Sequence, residues 1–357
     1  MSALYSNKEF AKLLLEWNVV ANQRSMPWKG ETNPYLIWLS EIILQQTRVE
    51  QGLPYYQNFV KKFPKVKDLA SAPESEVMKL WQGLGYYSRA RNLHFTAKHI
   101  YKELKGIFPN NYKDLLKLKG VGSYTAAAIA SFAFNEPVAV VDGNVIRVFS
   151  RVLGIHTPFD SAEGKKQFLE LAQNHISRKH PAKYNQAIMD FGATVCTPKN
   201  PACQSCVFAE HCYAFNKGKV NILPVKAKQL VKKKRTFVFV ILTNGKKIFL
   251  EQRTEKDIWK HLFQPPIIEV FDEGNFSVEE VISTHFGIKK VVLENKPETY
   301  KQTLTHQQLN MHFVQIKWSK ETAAIFKKQF QAVSVAQLDQ FALPKAVALH
   351  FHKISLL

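Results

Sequence analysis

The chain has 357 residues, of which 46% are hydrophobic and 12% aromatic, so it carries too much apolar surface to be disordered throughout. Lys and Arg number 49 against 29 Asp and Glu, a formal net charge of +20 that predicts a polyanionic partner, either nucleic acid or an acidic membrane surface. The length exceeds the roughly 100–200 residues of one domain, and we therefore expect two.

Residues 6–215 are expected to be helical, because apolar residues recur every three or four positions between Pro and Gly residues. Phe10, Leu13, Leu14 and Trp17 follow this spacing and do not form the continuous apolar core of a signal peptide. The longest apolar runs are far shorter than the roughly 20 residues that cross a bilayer. We therefore expect an all-α first domain, no membrane contact and a cytoplasmic location.

A carboxylate interrupts the very apolar helical segment 35–47. Glu41 has Ile37, Trp38 and Leu44 three or four positions away, so its face of the helix is apolar. Desolvation on that face favours the protonated acid. The alternative is an exposed or ion-paired Glu at the edge of the helix.

Two glycines separate two helical stretches within residues 112–134. Gly120 and Gly122 flank one apolar residue, which allows a sharp turn whose N–H groups face an anion at a helix N-terminus. Phosphate is the anion expected for so basic a chain. Asp142 follows 20 residues after Gly122, at the end of an apolar run, where it suits either a helix N-cap or a functional carboxylate.

The four cysteines lie close together, with the spacing Cys-x6-Cys-x2-Cys-x5-Cys. They are Cys196, Cys203, Cys206 and Cys212. This clustering is unlike a disulfide framework and indicates a metal site in a reducing compartment. Zinc fits four thiolates, but its structural sites usually pair two Cys-x2-Cys units, whereas an iron–sulfur cluster tolerates irregular spacing. The single short pair favours the cluster and leaves zinc as the alternative.

A basic connector divides the chain. Residues 216–235 carry eight basic and no acidic side chains and are expected to form a linker, either a solvated spacer or a strap that contacts phosphates. The expected domains are therefore 1–215 and 236–357.

The pattern after the connector is β-like. Residues 236–242 and 247–251 flank Asn244-Gly245, which predicts a β-hairpin with a tight primed turn. A further strand is expected at 309–318, and helices are expected at 278–286 and 321–331. The fold class predicted for the whole chain is multidomain, all-α followed by α+β.

Together these motifs resemble the endonuclease III and MutY branch of the helix-hairpin-helix DNA glycosylases. The cysteine spacing in 196–212 matches the loop that holds a [4Fe–4S] cluster in that branch. The segment Ser-Glu-x-x-Leu-Gln-Gln-Thr-x-Val, which begins at Ser40, is similar to the motif of the MutY-type adenine DNA glycosylases. The resemblance implies a helix-hairpin-helix glycosylase domain with a bound [4Fe–4S] cluster.

The resemblance also implies two catalytic carboxyl groups with pKa values pushed in opposite directions. Glu41 would protonate N7 of a flipped adenine, and Asp142 would stabilise the positive charge that develops on the sugar. Glu41, or a water chain through Asn144, would then activate the hydrolytic water. Tyr124 stands where endonuclease III-like enzymes carry a nucleophilic lysine, which favours a monofunctional glycosylase.

Binding residues are carried over from the same motifs. The adenine pocket would contain Arg24, Trp28, Val49 and Gln186. The residues expected to contact DNA are Gln45, Gln46, Tyr86, Gly120, Gly122 and Lys199. Among them, Gln45, Gln46 and Tyr86 would probe or fill the space left by an extruded base. The alternative for Tyr86 and its neighbour Tyr87 is that paired tyrosines cap a core.

The second domain resembles the Nudix-like domain of adenine glycosylases. Glu279 and Glu280 stand without the rest of the acidic helix with which a Nudix hydrolase holds Mg²⁺, so pyrophosphatase activity is not expected. The resemblance implies a reader of 8-oxoguanine at Thr305 and His306, where Leu304 replaces the aromatic residue found in many members.

The implied reaction is the hydrolytic removal of adenine mispaired with 8-oxoguanine or guanine in double-stranded DNA, by a monomer associated with the nucleoid. One alternative is an endonuclease III-like glycosylase with lyase activity, against which Tyr124 and the Nudix-like domain argue. The other is a catalytically silent iron–sulfur protein that scans DNA, against which the pair Glu41 and Asp142 argues.

Overall fold

The structure, a computed structural model, describes residues 6–227, 232–271, 276–304 and 306–357. The chain divides into a first unit, Met1–Ser71 with Asn92–Gln229, and a second unit, Ala72–Arg91 with Leu230–Leu357. None of the helices in these described ranges combines the length and the apolar character needed to cross a bilayer.

The part of the chain before residue 217 is helical, as expected. Its helices are α1 (Asn7–Val20), α2 (Pro34–Leu44), α3 (Val49–Lys62), α4 (Val66–Ser71), α5 (Glu74–Leu80), α6 (Ser88–Lys102), α7 (Tyr112–Leu115), α8 (Ser123–Phe134), α9 (Gly143–Leu153), α10 (Ala162–His175), α11 (Pro181–Thr194) and α12 (Tyr213–Asn216). A core of aromatic rings joins distant parts of this unit: Phe10 stacks on Phe149 and on Phe208, with ring centroids 5.3 and 4.6 Å apart.

Local capping chemistry sets where the helices that carry the site begin and end. Asn33 caps α2 by accepting the Tyr35 N–H at 3.0 Å, and Pro34 occupies the first helical turn, where no backbone donor is needed. α2 ends at Leu44, and Gln46 then adopts a left-handed conformation with φ of 57°. Asp142 caps α9. These ends fix the positions from which Glu41 and Asp142 project.

The second unit contains two sheets. Its strands are β1 (Lys233–Ile241), β2 (Lys247–Gln252), β3 (Phe263–Gln264), β4 (Ile267–Val270), β5 (Glu298–Thr303), β6 (Gln307–Gln315) and β7 (Gln331–Ser334), and its later helices are α13 (Val278–Phe286), α14 (Lys320–Lys327) and α15 (Lys345–Lys353). The sheet orders are β4-β1-β6-β5 and β3-β2-β7, and β1 runs parallel to β6. The α+β class is confirmed.

The predicted hairpin is wrong in its pairing. A tight turn does form, because the Asn244 N–H donates to the Lys247 carbonyl and Gly245 has φ of 78°. Beyond a single bridge between Thr243 and Ile248, however, β1 and β2 separate into different sheets. β1 is buried over most of its length and β2 at its centre, and each is covered by partners distant in sequence. The helix expected at 321–331 ends earlier, before β7.

The connector is shorter than predicted. Leu223 is buried in the core of the first unit, and its carbonyl accepts the Arg151 Nε–H at 3.1 Å. The Ala227 N–H donates to Asp160 at 2.8 Å, and β1 begins at Lys233. Part of the predicted linker 216–235 is therefore folded against the first unit, and four of its residues, 228–231, lie outside the described residues.

Residues 72–91, which the sequence places in the helical domain, group with the second unit. The Tyr87 hydroxyl donates to the Leu343 carbonyl at 3.3 Å, and Arg91 donates to the Lys260 carbonyl at 2.9 Å. Sequence proximity gave no sign of these bonds, because their partners are more than 160 residues away.

Candidate active site and cysteine cavity

One cavity of about 840 Å³ in the first unit collects most of the predicted site residues. Its lining includes Arg24, Trp28, Glu41, Gln45, Gln46, Val49, Gly122, Tyr124, Asp142, Asn144 and Gln186. They come from α2, the start of α3, the start of α8, the start of α9, and α11, together with the loop that follows α1. The structure thus brings together residues that are up to 162 positions apart in sequence.

Glu41 holds its proton to unusually high pH. The pKa of its carboxyl is raised to about 7, chiefly by burial and also by the nearby Asp142, while a hydrogen bond from the Tyr124 hydroxyl opposes the shift. The apolar neighbours on α2 predicted this direction. A buried carboxyl with a pKa near neutrality is suited to act as a general acid. The alternative of an exposed Glu at the helix edge is wrong.

Asp142 is a helix N-cap and also lines the cavity, so the capping role does not exclude a functional one, which stays a prediction. One carboxylate oxygen accepts the Val145 N–H at 2.8 Å and the other accepts the Asn144 side-chain amide at 2.7 Å. Burial raises the pKa of Asp142, although these hydrogen bonds and the nearby Arg147 oppose the rise. The expectation that the two carboxyls shift in opposite directions is therefore wrong, because both are desolvated in the same cavity.

Asn144 is tied to a buried guanidinium. Arg147 donates to the Asn144 side-chain oxygen at 2.8 Å, to the Gly192 carbonyl and to the Cys196 carbonyl at 2.7 Å. Helices α9 and α11 approach so closely here that a Cβ on Gly192 would lie 2.6 Å from the Cβ of Asn144. The bonds of Arg147 thus link the end of α9 that lines the cavity to the first cysteine.

Sequence reasoning missed a buried acid behind the cavity. Asp190 on α11 is fully buried and pairs with Arg24 and Lys29 at 2.8 and 2.9 Å. It also accepts the side-chain amide of Gln186 at 2.9 Å. The only sequence signal was the spacing of four residues between Gln186 and Asp190 on one helix.

Two of the three residues predicted to probe the duplex have strained backbones. Gln46 and Tyr86 have φ of 57° and 49°, a region that residues other than glycine rarely occupy and that concentrates at functional sites. Tyr86 belongs to the second unit, is 49% exposed, and has the Arg89 guanidinium 5.3 Å from its ring centre. Tyr87 is buried, so the core-capping alternative applies to Tyr87 and not to Tyr86.

The turn of the predicted helix-hairpin-helix, which contains Gly120 and Gly122, joins α7 to α8. Gly120 has φ of 81°, and a Cβ on it would lie 2.6 Å from the Cβ of Asn92, so this turn requires glycine. The Thr96 hydroxyl donates to the Lys119 carbonyl at 2.7 Å and anchors the turn on α6. Gly122 is exposed at the N-terminus of α8. N–H groups at a helix N-terminus can bind an anion, and phosphate binding here stays a prediction.

The four cysteines line one small cavity of about 20 Å³ together with apolar residues. The pKa of Cys206 is raised to about 12, chiefly by burial and also by the other three thiols, while a hydrogen bond from the Phe208 N–H opposes the rise. Four thiolates this close need a shared cation, and the donor set fits an iron–sulfur cluster. Arg151 donates to the Cys196 sulfur at 3.5 Å. Among the described residues, no three or more His, Cys, Asp or Glu side chains are placed so that they could hold one single metal ion.

Two further predicted residues, Lys199 and His306, are described and are not among the residues that line either cavity. Lys199 is exposed in the loop after Cys196. His306 is exposed in the turn between β5 and β6, where its carbonyl accepts the Lys233 N–H at 3.0 Å. Thr305 lies outside the described residues.

Three family models match the chain. Residues 39–174 match the HhH-GPD superfamily of base excision DNA repair proteins, residues 237–353 match a NUDIX domain, and residues 196–212 match the iron-sulfur binding domain of endonuclease III. These matches confirm the helix-hairpin-helix fold, the Nudix-like second domain and the [4Fe–4S] cluster, which is favoured over zinc.

An adenine DNA glycosylase of Buchnera aphidicola subsp. Baizongia pistaciae is 36% identical over 83% of this chain and 83% of that protein. The chain belongs to the adenine DNA glycosylase family. The adenine DNA glycosylase of Arabidopsis thaliana is 31% identical over 96% of this chain and 64% of its own length. Among solved structures, a thermostable thymine-DNA glycosylase aligns with a TM-score of 0.55 and 31% identity, over 59% of this chain and 97% of that one.

Proposed function

We propose that the protein hydrolytically removes adenine mispaired with 8-oxoguanine or guanine in double-stranded DNA. The observation that carries this proposal is the pair Glu41 and Asp142, which line one cavity large enough for a purine base. The name shared by the relatives supports adenine as the base that is removed.

The proposed chemistry divides the work between the two carboxyl groups. Glu41, protonated because it is buried, would donate its proton to N7 of the flipped adenine and so make the base a better leaving group. Asp142, whose oxygens are fixed by Val145 and Asn144, would face the sugar and stabilise its developing positive charge. The ionised Glu41, or a water held by Asn144, would then deprotonate the attacking water.

The protein is proposed to act as a glycosylase without lyase activity. Tyr124 occupies the position of the lysine nucleophile of endonuclease III-like enzymes, and its hydroxyl hydrogen-bonds to Glu41. Burial raises the pKa of Tyr124 well above its usual range, so its hydroxyl stays protonated and is a poor nucleophile. Borohydride treatment during turnover should trap no covalent protein–DNA adduct, and a trapped adduct would favour the lyase alternative.

Cys196, Cys203, Cys206 and Cys212 are the proposed ligands of the cluster, which supplies structural cross-linking here. Because the Arg151 side chain donates to the Thr197 and Pro198 carbonyls, the loop that carries Lys199 is held to α9. Lys199 would thereby present its charge to a DNA phosphate. Gly120 and Gly122 would bind a second phosphate through backbone N–H groups.

The second domain, proposed as 236–357, would read 8-oxoguanine through His306 and Thr305, while Tyr86, Gln45 and Gln46 would probe the base stack. The protein is proposed to act as a monomer.

Single-turnover excision from duplexes with adenine opposite 8-oxoguanine, guanine or thymine tests the proposal. We expect release of free adenine, fastest opposite 8-oxoguanine and slowest opposite thymine. His306→Ala should reduce the preference for 8-oxoguanine over guanine, with His285→Ala, at an exposed site on α13 of the same domain, as a control. Release of no adenine from any duplex would overturn the proposal.

A further inference from the structure

A single buried carboxylate lies behind the wall of the cavity and is surrounded by donors. Asp190 has a fully buried side chain and accepts from Arg24 Nη1 at 2.8 Å, Lys29 Nζ at 2.9 Å, Asn22 Nδ2 at 2.9 Å and Gln186 Nε2 at 2.9 Å. Its partners come from α11 itself and from the loop after α1. Three of them, Arg24, Lys29 and Gln186, line the cavity.

The chemistry of a carboxylate fixes how one of these partners is oriented. An ionised carboxylate only accepts hydrogen bonds, so the Gln186 amide must turn its NH₂ group toward Asp190. The amide oxygen is then the group that Gln186 turns away from Asp190. An amide oxygen in the cavity wall accepts a hydrogen bond from an exocyclic amine, which adenine carries at C6, and repels a carbonyl oxygen, which guanine carries there.

The side chains of Arg24 and Lys29 are both held by the carboxylate of Asp190. Arg24 and Lys29 would repel each other without an anion between them, and a flexible Lys or Arg side chain loses rotamer freedom when it is fixed. Lys29 also donates to the Arg24 carbonyl at 2.8 Å, which closes the loop on itself. Asp190 therefore holds the loop that carries Arg24 and Trp28 against α11.

On these grounds we propose that Asp190 is a positioning residue that sets base specificity: it orients the Gln186 amide so that the cavity presents a hydrogen-bond acceptor to the 6-amino group of adenine. The proposal rests on the proposed adenine excision. It differs from a purely structural role, because it concerns discrimination between bases and not only the amount of folded enzyme.

The test compares excision of adenine with excision of purine, which lacks the 6-amino group but keeps N7, each placed opposite 8-oxoguanine. In Asp190→Asn the new side chain offers both an acceptor and a donor, so the Gln186 amide is free to flip. We expect the ratio of adenine to purine single-turnover rates to fall about three- to tenfold, the effect of one lost hydrogen bond. Glu170→Gln, an acid-to-amide change at an exposed site on α10, should leave the ratio unchanged.

Gln186→Ala covers the case in which Asp190→Asn does not fold. It should lower the same ratio by a similar factor, and the double variant should lower it no further than Gln186→Ala alone, because both act through one amide. Equal losses of adenine and purine excision in either single variant, or an unchanged ratio, would overturn the proposal. Absence of excision by the unmodified protein would refute the proposed function instead.

Discussion

Both cavities of the first unit bury acidic groups and so oppose their ionisation, but the two cavities differ in what surrounds those groups. The catalytic cavity, of about 840 Å³, surrounds its carboxyl groups with donors and cations that belong to the protein. The cysteine cavity, of about 20 Å³, surrounds four thiols mainly with apolar side chains and with one another. We therefore expect the first to keep its shape without an occupant and, as proposed, to receive a base transiently, whereas the thiols of the second need a bound cationic group.

Helix α9 connects the two cavities. Its first residues lie beside Asp142, and its two buried arginines contact the cysteine loop: Arg147 through the Cys196 carbonyl and Arg151 through the Cys196 sulfur. Loss of the cluster would thus disturb the loop that these arginines contact, at the far end of the helix whose N-cap is Asp142. The predictions that follow probe one cavity at a time.

The largest effect is expected at the cysteine cavity. Cys206→Ser removes one of four ligands, and the remaining buried thiols no longer share a fully ligated cation, so we expect loss of bound iron and of most folded protein. Iron analysis and the thermal midpoint of the purified protein measure both. A variant without iron that keeps the midpoint of the unmodified protein would show that this cavity, like the catalytic one, needs no occupant.

Asp142→Asn separates the effect of the negative charge of Asp142 on excision from the effect of its helix capping on stability. Asparagine caps helices as well as aspartate, so the thermal midpoint should change little, while loss of the charge should slow excision by about 1,000-fold. Single-turnover kinetics and thermal unfolding provide the two readouts. If excision stayed within tenfold of the unmodified rate, the sugar-stabilising role of Asp142 would be refuted.

Glu41→Gln should stabilise the fold at neutral and higher pH. Because burial raises the pKa of Glu41 to about 7, the folded state binds more protons than the unfolded state between about pH 4.5 and 7, and its stability falls as the pH rises. A glutamine at this position does not ionise, so the stability of the variant does not fall as the pH rises through this range. The variant should gain up to about 3 kcal/mol at pH 8 and nothing below pH 4. Thermal midpoints measured across this range test the sign, and a loss of stability at pH 8 would contradict it.

Tyr124→Phe is expected to have the smallest effect. The Tyr124 hydroxyl lowers the pKa of Glu41 by donating a hydrogen bond to it. Removal of this hydroxyl should therefore shift the decline in the excision rate to higher pH. At pH 6, where Glu41 is protonated in both proteins, the rates should agree within about threefold. A large loss at pH 6 would instead give Tyr124 a direct chemical role.

Patterns local in sequence predicted the molecule well, and contacts distant in sequence escaped prediction. The apolar face around Glu41 and the cap at Asp142 are read from neighbouring residues, and both are as expected. The separation of β1 and β2 and the placement of residues 72–91 depend on partners far along the chain. The shift of the Asp142 pKa was missed for the same reason, since burial of that carboxyl is created by helices that only meet in the fold. Asp190 was missed because its cationic partners lie more than 160 residues earlier.

The pH dependence of single-turnover adenine excision tests the central claim, that burial keeps Glu41 protonated as the general acid. From duplexes with adenine opposite 8-oxoguanine, the unmodified protein should excise fastest below pH 7 and decline above it with an apparent pKa of about 7. Glu41→Gln should be at least about 100-fold slower and lack this decline. An undiminished rate for Glu41→Gln, or a rate for the unmodified protein that stays constant to pH 9, would contradict the claim.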